Sequence, residues 1–282
     1  MGLRASPLLR VRTGLSLARV LLLAVTVAVG AGCAAEKDEV YIERPVEDLY
    51  NDALDLLAKK EYTLAAKAFD EVERQHPYST WATKAQLMSA YTYYQNNKYD
   101  EAIVALDRFI QLHPGHRDAA YAYYLKGLSH YEQIADVGRD QKMTQLAAES
   151  LREVVTRFPN SKYARDARLK LELTVDHLAG KEMEIGRGYL TAGQYLAAIN
   201  RFQAVIGQFQ TTTHVPEALH RLVECYLALG LTDEAFRAAA VLGHNFPGSD
   251  WYEDSYRDIK GPPVDPNKPD EAGTRSWFGW LW

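Results

Sequence analysis

Between Val46 and Lys260 apolar residues recur at helical spacing, and the pattern restarts at a repeated punctuation mark. Five prolines fall in this stretch, and four of them (Pro77, Pro114, Pro159 and Pro247) share one context. Three open the same phrase, Pro-x-Ser-x-aromatic: Pro77-Tyr78-Ser79-Thr80-Trp81, Pro159-Asn160-Ser161-Lys162-Tyr163 and Pro247-Gly248-Ser249-Asp250-Trp251. Proline cannot continue the helix before it, and serine offers a side-chain oxygen to cap the helix after it. Eight residues before each proline stands an expected core residue: Phe69, Leu106, Leu151 or Ala239. Four further back is a small one: Ala65, Ala102, Ala147 or Ala235. The same ladder fits a degenerate copy ending at Gln210, with Phe202 and Ala198. Tyr62, Tyr99 and Tyr195 each precede the small residue by three positions.

This ladder is similar to the tetratricopeptide pattern of Gly, Tyr, Ala, Phe and Pro in a helix–turn–helix unit, and Gly186, Tyr189 and Gly193 extend the likeness in the fourth copy. The expected fold is all-α: a tetratricopeptide-like solenoid of five helix pairs plus a capping helix, Ser249 to Ile259. Successive anchors are 37, 45, 51 and 37 residues apart. The first surplus falls around Gln133 to Gln141 and reads as a loop between paired helices. The second falls in Lys162 to Ala192, rich in helix formers, and reads as a lengthened helix.

Outside the repeats the pattern changes. The first 32 residues hold four arginines (Arg4, Arg10, Arg12 and Arg19) and no acid; a run from Val20 to Val29, VLLLAVTVAV, leads to Gly30-Ala31-Gly32-Cys33. Basic, apolar and small segments in that order describe a signal peptide, 1–32. A transmembrane anchor is the alternative, but the uncharged run is short against the ~20 residues a bilayer requires. Small residues directly before Cys33 resemble a bacterial lipoprotein processing site, with Gly30 where leucine is usual. That resemblance implies a diacylglycerol and an N-acyl chain on Cys33, and no other cofactor. An ordinary secreted protein with a free cysteine is the alternative. Ala34, where aspartate would favour retention at the inner membrane, points to the periplasmic face of the outer membrane. A flexible tether, 33–45, would follow. Residues 261–282 are Pro-rich and end in aromatic residues, and they are expected to form an unfolded tail. Three roles stay open for it: an interfacial anchor, a self-ligand or none.

Charge and candidate chemistry narrow the function. The 282-residue chain carries a net charge of −5, and all four leader arginines count toward it. Nucleic acid, which demands clustered positive charge, is therefore disfavoured as a partner. Two cysteines, Cys33 and Cys225, make no disulfide framework, and Cys225 shares a helical stripe with Leu222, Tyr226 and Leu229, as a core thiol would. His113 and His116 flank a Pro-Gly turn without further ligands in sequence, so no metal site is expected there. No phosphate cradle, serine elbow or zinc-protease motif is present. Tyrosine stands out instead: eight of 18 lie between Tyr91 and Tyr131. Tyr91 and Tyr94 share a helix face, as do Tyr121 and Tyr124. Either these pairs line a groove, or they serve repeat packing, as Tyr99 does.

The phrases Ala90-Tyr91-Thr92-Tyr93-Tyr94, Leu106-Asp107-Arg108-Phe109-Ile110-Gln111-Leu112-His113-Pro114 and Tyr121-x-x-Tyr124-x-x-Gly127-Leu128, with Asp136-x-x-Arg139-Asp140-Gln141, resemble the BamD family. Its members are lipoprotein subunits of the outer-membrane β-barrel assembly machinery. The resemblance runs from Cys33 to Ile259 and leaves out the tail. It implies a non-enzymatic protein, lipid-anchored at the outer membrane. Its groove would hold C-terminal segments of unfolded outer-membrane proteins at Tyr91, Tyr94, Tyr121 and Tyr124. Arg201 would form an ion pair with a BamA-like barrel subunit, beside other lipoproteins of the complex. Two rivals differ in class: a periplasmic tetratricopeptide scaffold for envelope constriction or peptidoglycan synthesis, and a peptidoglycan hydrolase on an α-solenoid.

Overall fold

A computed structural model describes residues 43–260 of the chain. The expected leader 1–32, most of the tether 33–45 (Cys33 included) and the tail 261–282 lie outside the described residues. Within those described there are eleven helices and no strand. They run in five pairs: α1 (Val46–Ala58) with α2 (Tyr62–Gln75), α3 (Thr80–Gln95) with α4 (Tyr99–Leu112), and α5 (Ala119–Tyr131) with α6 (Lys142–Arg157). Then come α7 (Ala164–Thr191) with α8 (Tyr195–Gln208), α9 (Val215–Ala228) with α10 (Thr232–Asn245), and a single α11 (Asp250–Lys260). Each helix packs on the next. The first helices of the early pairs also touch one another, α1 on α3, α3 on α5 and α5 on α7.

The small and large positions of the sequence ladder make the core. Ala65, Ala102, Ala147, Ala198 and Ala235 are fully buried, as are Phe69, Leu106, Leu151 and Phe202, while Ala239 is nearly so. Burying each large side chain contributes roughly 1.5–3 kcal/mol. Alanine at the small position lets paired helices approach closely. In the fourth pair Gly186 lies directly under the Phe202 ring, where a Cβ would collide with it.

Two backbone devices repeat. Four first helices close in the same way, with the residue two before the second helix in the left-handed region: Lys60 (φ 63°), Asn97 (φ 57°), Gly193 (φ 70°) and Gly230 (φ 73°). In each, two crossed bonds satisfy the orphan carbonyls of the last turn. In the first pair Glu61 N donates to Leu56 O at 3.0 Å and Lys60 N to Leu57 O at 2.9 Å. Each second helix ends on an aromatic ring residue of one conformation: His76, His113, Phe158, Phe209 and Phe246, with φ from −126° to −136°. Phe209 precedes Gln210, so the degenerate copy keeps the turn without its proline.

Serine caps follow the phrase at two of three places. Ser79 Oγ accepts from Ala82 N at 3.0 Å, and Ser249 Oγ from Tyr252 N at 3.2 Å. Ser161 departs from the expectation: its Oγ is buried without a partner. The turn there runs two residues longer, so α7 opens at Ala164 with Tyr163 as its cap. The insertion at 132–141 is a loop between α5 and α6, folded around Gln141, whose amide donates to the carbonyls of Asp136, Val137 and Arg139. The second surplus is α7 itself, 28 residues without a break.

Candidate functional site

The first helices of pairs two to four, α3, α5 and α7, stand side by side and bring the sequence-predicted tyrosines together. Tyr91 and Tyr94 lie one turn apart on α3, Tyr121 and Tyr124 one turn apart on α5, and all four are half-buried. Tyr91, Tyr94 and Tyr121 rest on the core formed by Leu87, Ala90, Leu106, Phe109, Ala122 and Leu125. Packing and surface presentation therefore coincide in the same side chains.

Tyr163, at the start of α7, joins the strip. Its ring stacks on Tyr124 with centroids 5.1 Å apart and an interplanar angle of 22°, and it leans on Tyr121 at 5.3 Å. On the other flank Tyr94 meets the edge of Tyr99 at 5.7 Å. Two hydroxyls are taken by carboxylates. Tyr124 Oη donates to Asp166 at 2.5 Å, and Tyr94 Oη to Glu132 at 3.4 Å.

These surroundings favour the neutral phenol at Tyr94, Tyr121 and Tyr124. Burial, then Glu132, Tyr99 and Tyr91, push Tyr94 up to about 12. Burial raises Tyr121 well above the ordinary phenol range, reinforced by Tyr91, Tyr163 and Tyr94. Burial and the hydrogen bond to Asp166 do the same for Tyr124. The face offers flat, stiff apolar area, with the polar tips of Tyr94 and Tyr124 fixed in direction.

Tyr93 and Tyr123 look elsewhere. Tyr93 lines a separate concavity of about 840 Å³ between α2, α3 and α4, with Asp70, Glu73, Asp100 and Glu101. Tyr123 packs on Phe158 at 5.4 Å, under the Arg157 guanidinium. His113 and His116 pack against Phe109, and His113 Nε2 lies 3.0 Å from Gln86 Oε1. Cys225 is fully buried, and desolvation pushes its thiol up to about 12.

Arg201, on α8, is already paired within the chain. Its guanidinium lies 3.1 Å from Glu182 of α7, and 42% of its side chain is exposed. Sequence reasoning missed Glu182, as it missed Tyr163, Glu132 and Asp166 around the tyrosines, because those partners are distant in the chain.

Among the described residues no helix is long and apolar enough to cross a membrane. Helical pairs in a one-dimensional stack, with an aromatic strip along their first helices, define a tetratricopeptide solenoid. The family model described as an outer membrane lipoprotein matches residues 42–242. The chain is 53% identical over 261 residues to the outer membrane protein assembly factor BamD of Caulobacter vibrioides, covering 91% of this chain and 85% of that protein. It is 50% identical over 229 residues to BamD of Rickettsia prowazekii, covering 81% and 91%, and 38% identical over 237 residues to BamD of Neisseria meningitidis serogroup A, covering 80% and 89%. The chain belongs to the BamD family of outer-membrane protein assembly factors.

Proposed function

We propose that the protein is a lipid-anchored subunit of the outer-membrane β-barrel assembly complex. On this reading it is not an enzyme and acts by holding unfolded barrel segments beside the subunit that folds them. The observation that carries the reading is the continuous tyrosine strip over α3, α5 and the start of α7. Packed helices lie about 8–10 Å apart and an extended chain advances about 3.3 Å per residue. Side chains roughly three residues apart in an extended client would thus meet successive helices. An aromatic client residue would add to the Tyr91, Tyr94, Tyr121 and Tyr124 rings the kind of desolvated contact that dominates peptide affinity.

Arg201 supplies the second face. Its exposed half would reach a carboxylate of a BamA-like subunit, with Glu182 holding it in position. Cys33 would carry the diacylglycerol and N-acyl chains, since two or more chains give stable attachment where one does not.

Photo-crosslinkers at positions 91 and 121, in cells expressing the full chain, test the groove. Capture of C-terminal barrel segments is the expected result; capture of none would sink it. Detergent extraction should co-purify a BamA-like subunit. Mass spectrometry of the mature protein should find an acylated Cys33, and an unmodified N-terminus elsewhere would overturn the anchor.

A further inference from the structure

The capping helix α11 meets α9 through a small polar cluster that the groove and the Arg201 face do not use. His220, on α9, is 4% exposed. Its Nδ1 lies 2.9 Å from the hydroxyl of Ser255, a fully buried residue of α11. Its Nε2 stands 3.7 Å from Glu224 Oε1, outside hydrogen-bond distance. Glu224 follows His220 by one turn on the same face, and its other oxygen is held by Arg221 at 2.7 Å. Asp258, one turn past Ser255 on α11, completes the group. One ligand atom from each of His220, Glu224 and Asp258 lies within 4.8 Å of the others.

We infer that His220, Glu224 and Asp258 bind a divalent transition-metal ion of the zinc type, which fastens the capping helix to α9. One imidazole nitrogen and two carboxylates, with a position left for water, are a ligand set such an ion accepts. Calcium and magnesium ask for six or more oxygen ligands and fit poorly. The Ser255 hydroxyl fixes the ring through Nδ1 and presents Nε2, as a ligating histidine requires. Of the flanking cations, Arg257 is engaged outside the group, on Asp254, while Arg221 holds the second oxygen of Glu224 and leaves Oε1 facing His220. Tetrahedral ligands sit about 3.3 Å apart around zinc, so the side chains close by up to about 1.5 Å on binding.

The position gives the ion a purpose. Ser255 is the single fully buried residue of α11, which otherwise docks with the partly buried Trp251, Tyr252 and Ile259. A metal bridge between α9 and α11 ties down an end with little apolar anchorage.

Zn²⁺ titrated into the chelator-stripped full chain tests this by calorimetry and thermal melting, with Co²⁺ as the visible-absorption probe. The expected result is one saturable Zn²⁺ site per chain, a tetrahedral Co²⁺ band and a Tm several degrees higher with Zn²⁺. Asp258→Asn and Glu224→Gln keep the side-chain shapes, and each should weaken Zn²⁺ binding at least tenfold. Asp258→Asn should also melt no lower than the wild type without metal, which separates lost ligation from a damaged cap. No saturable site, equal binding of Mg²⁺, or unchanged affinity in both variants would overturn the inference.

Discussion

Tyr124 donates its hydroxyl to Asp166 across the seam between α5 and α7, while Tyr163 stacks on its ring. One side chain thus joins the third pair to the fourth by a polar and an apolar contact at once. Tyr124→Phe removes the first and keeps the second. Its hydroxyl bond is worth roughly 0.5–1.5 kcal/mol, so a modest fall in Tm is expected, with barrel-peptide affinity nearly intact. Tyr91→Ala or Tyr121→Ala should instead weaken that affinity by ~1–2 kcal/mol with helicity preserved. Fluorescence titration with a labelled barrel peptide, beside circular dichroism, distinguishes the two effects.

Arg201 and Glu182 permit a charge exchange within the chain. Arg201→Glu places two acids at about the distance of the present pair and should release the BamA-like subunit in pull-downs. Adding Glu182→Arg restores the internal pair with reversed polarity. If Arg201 itself meets the partner, capture stays lost in the double variant; if the pair is merely structural, capture returns. Return of capture would count against Arg201 as a partner contact.

Acid should loosen the array. Burial lowers both His130 and His220 below the ordinary imidazole value of about 6.5. The unfolded chain therefore takes up protons that the folded chain refuses. The stability these residues contribute is fully present above about 6.5 and falls as pH drops below it. Urea midpoints between pH 7.5 and 5 should decline, and His130→Gln should flatten part of that slope. A midpoint constant over the range would contradict the assignment.

Lys60 bears a left-handed conformation that the fourth and fifth pairs give to Gly193 and Gly230. A side chain there costs roughly 1 kcal/mol, so Lys60→Gly should raise stability by up to that amount. The gain is read as a higher urea midpoint with an unchanged slope, and a loss would mean Lys60 makes a contact of its own.

What could be read in advance followed the range of each signal. The proline anchors, the alanine ladder and the two insertions depend on contacts within a turn or a pair, and sequence spacing records such contacts directly. Gly193 stood out for the same reason, whereas Lys60 and Asn97 adopt the same turn without announcing it. Ser161 misled because two extra turn residues carried the helix start beyond its reach. Tyr91, Tyr94, Tyr121 and Tyr124 could be grouped by helical phase. Tyr163 and Asp166 could not be added to them, since only the stacking of one pair on the next brings them near. His220 and Asp258 meet for that reason too, and no local motif marks them.

The unbroken course of α7 has a mechanical consequence. Asp166, in its first turn, is gripped by Tyr124, and Glu182, toward its far end, is gripped by Arg201. Sixteen residues of continuous helix separate the two grips, about 24 Å of rod with no joint in it. A tug on the aromatic strip is therefore delivered to the arginine as displacement rather than absorbed as bending. The two faces are the two ends of one stiff strut.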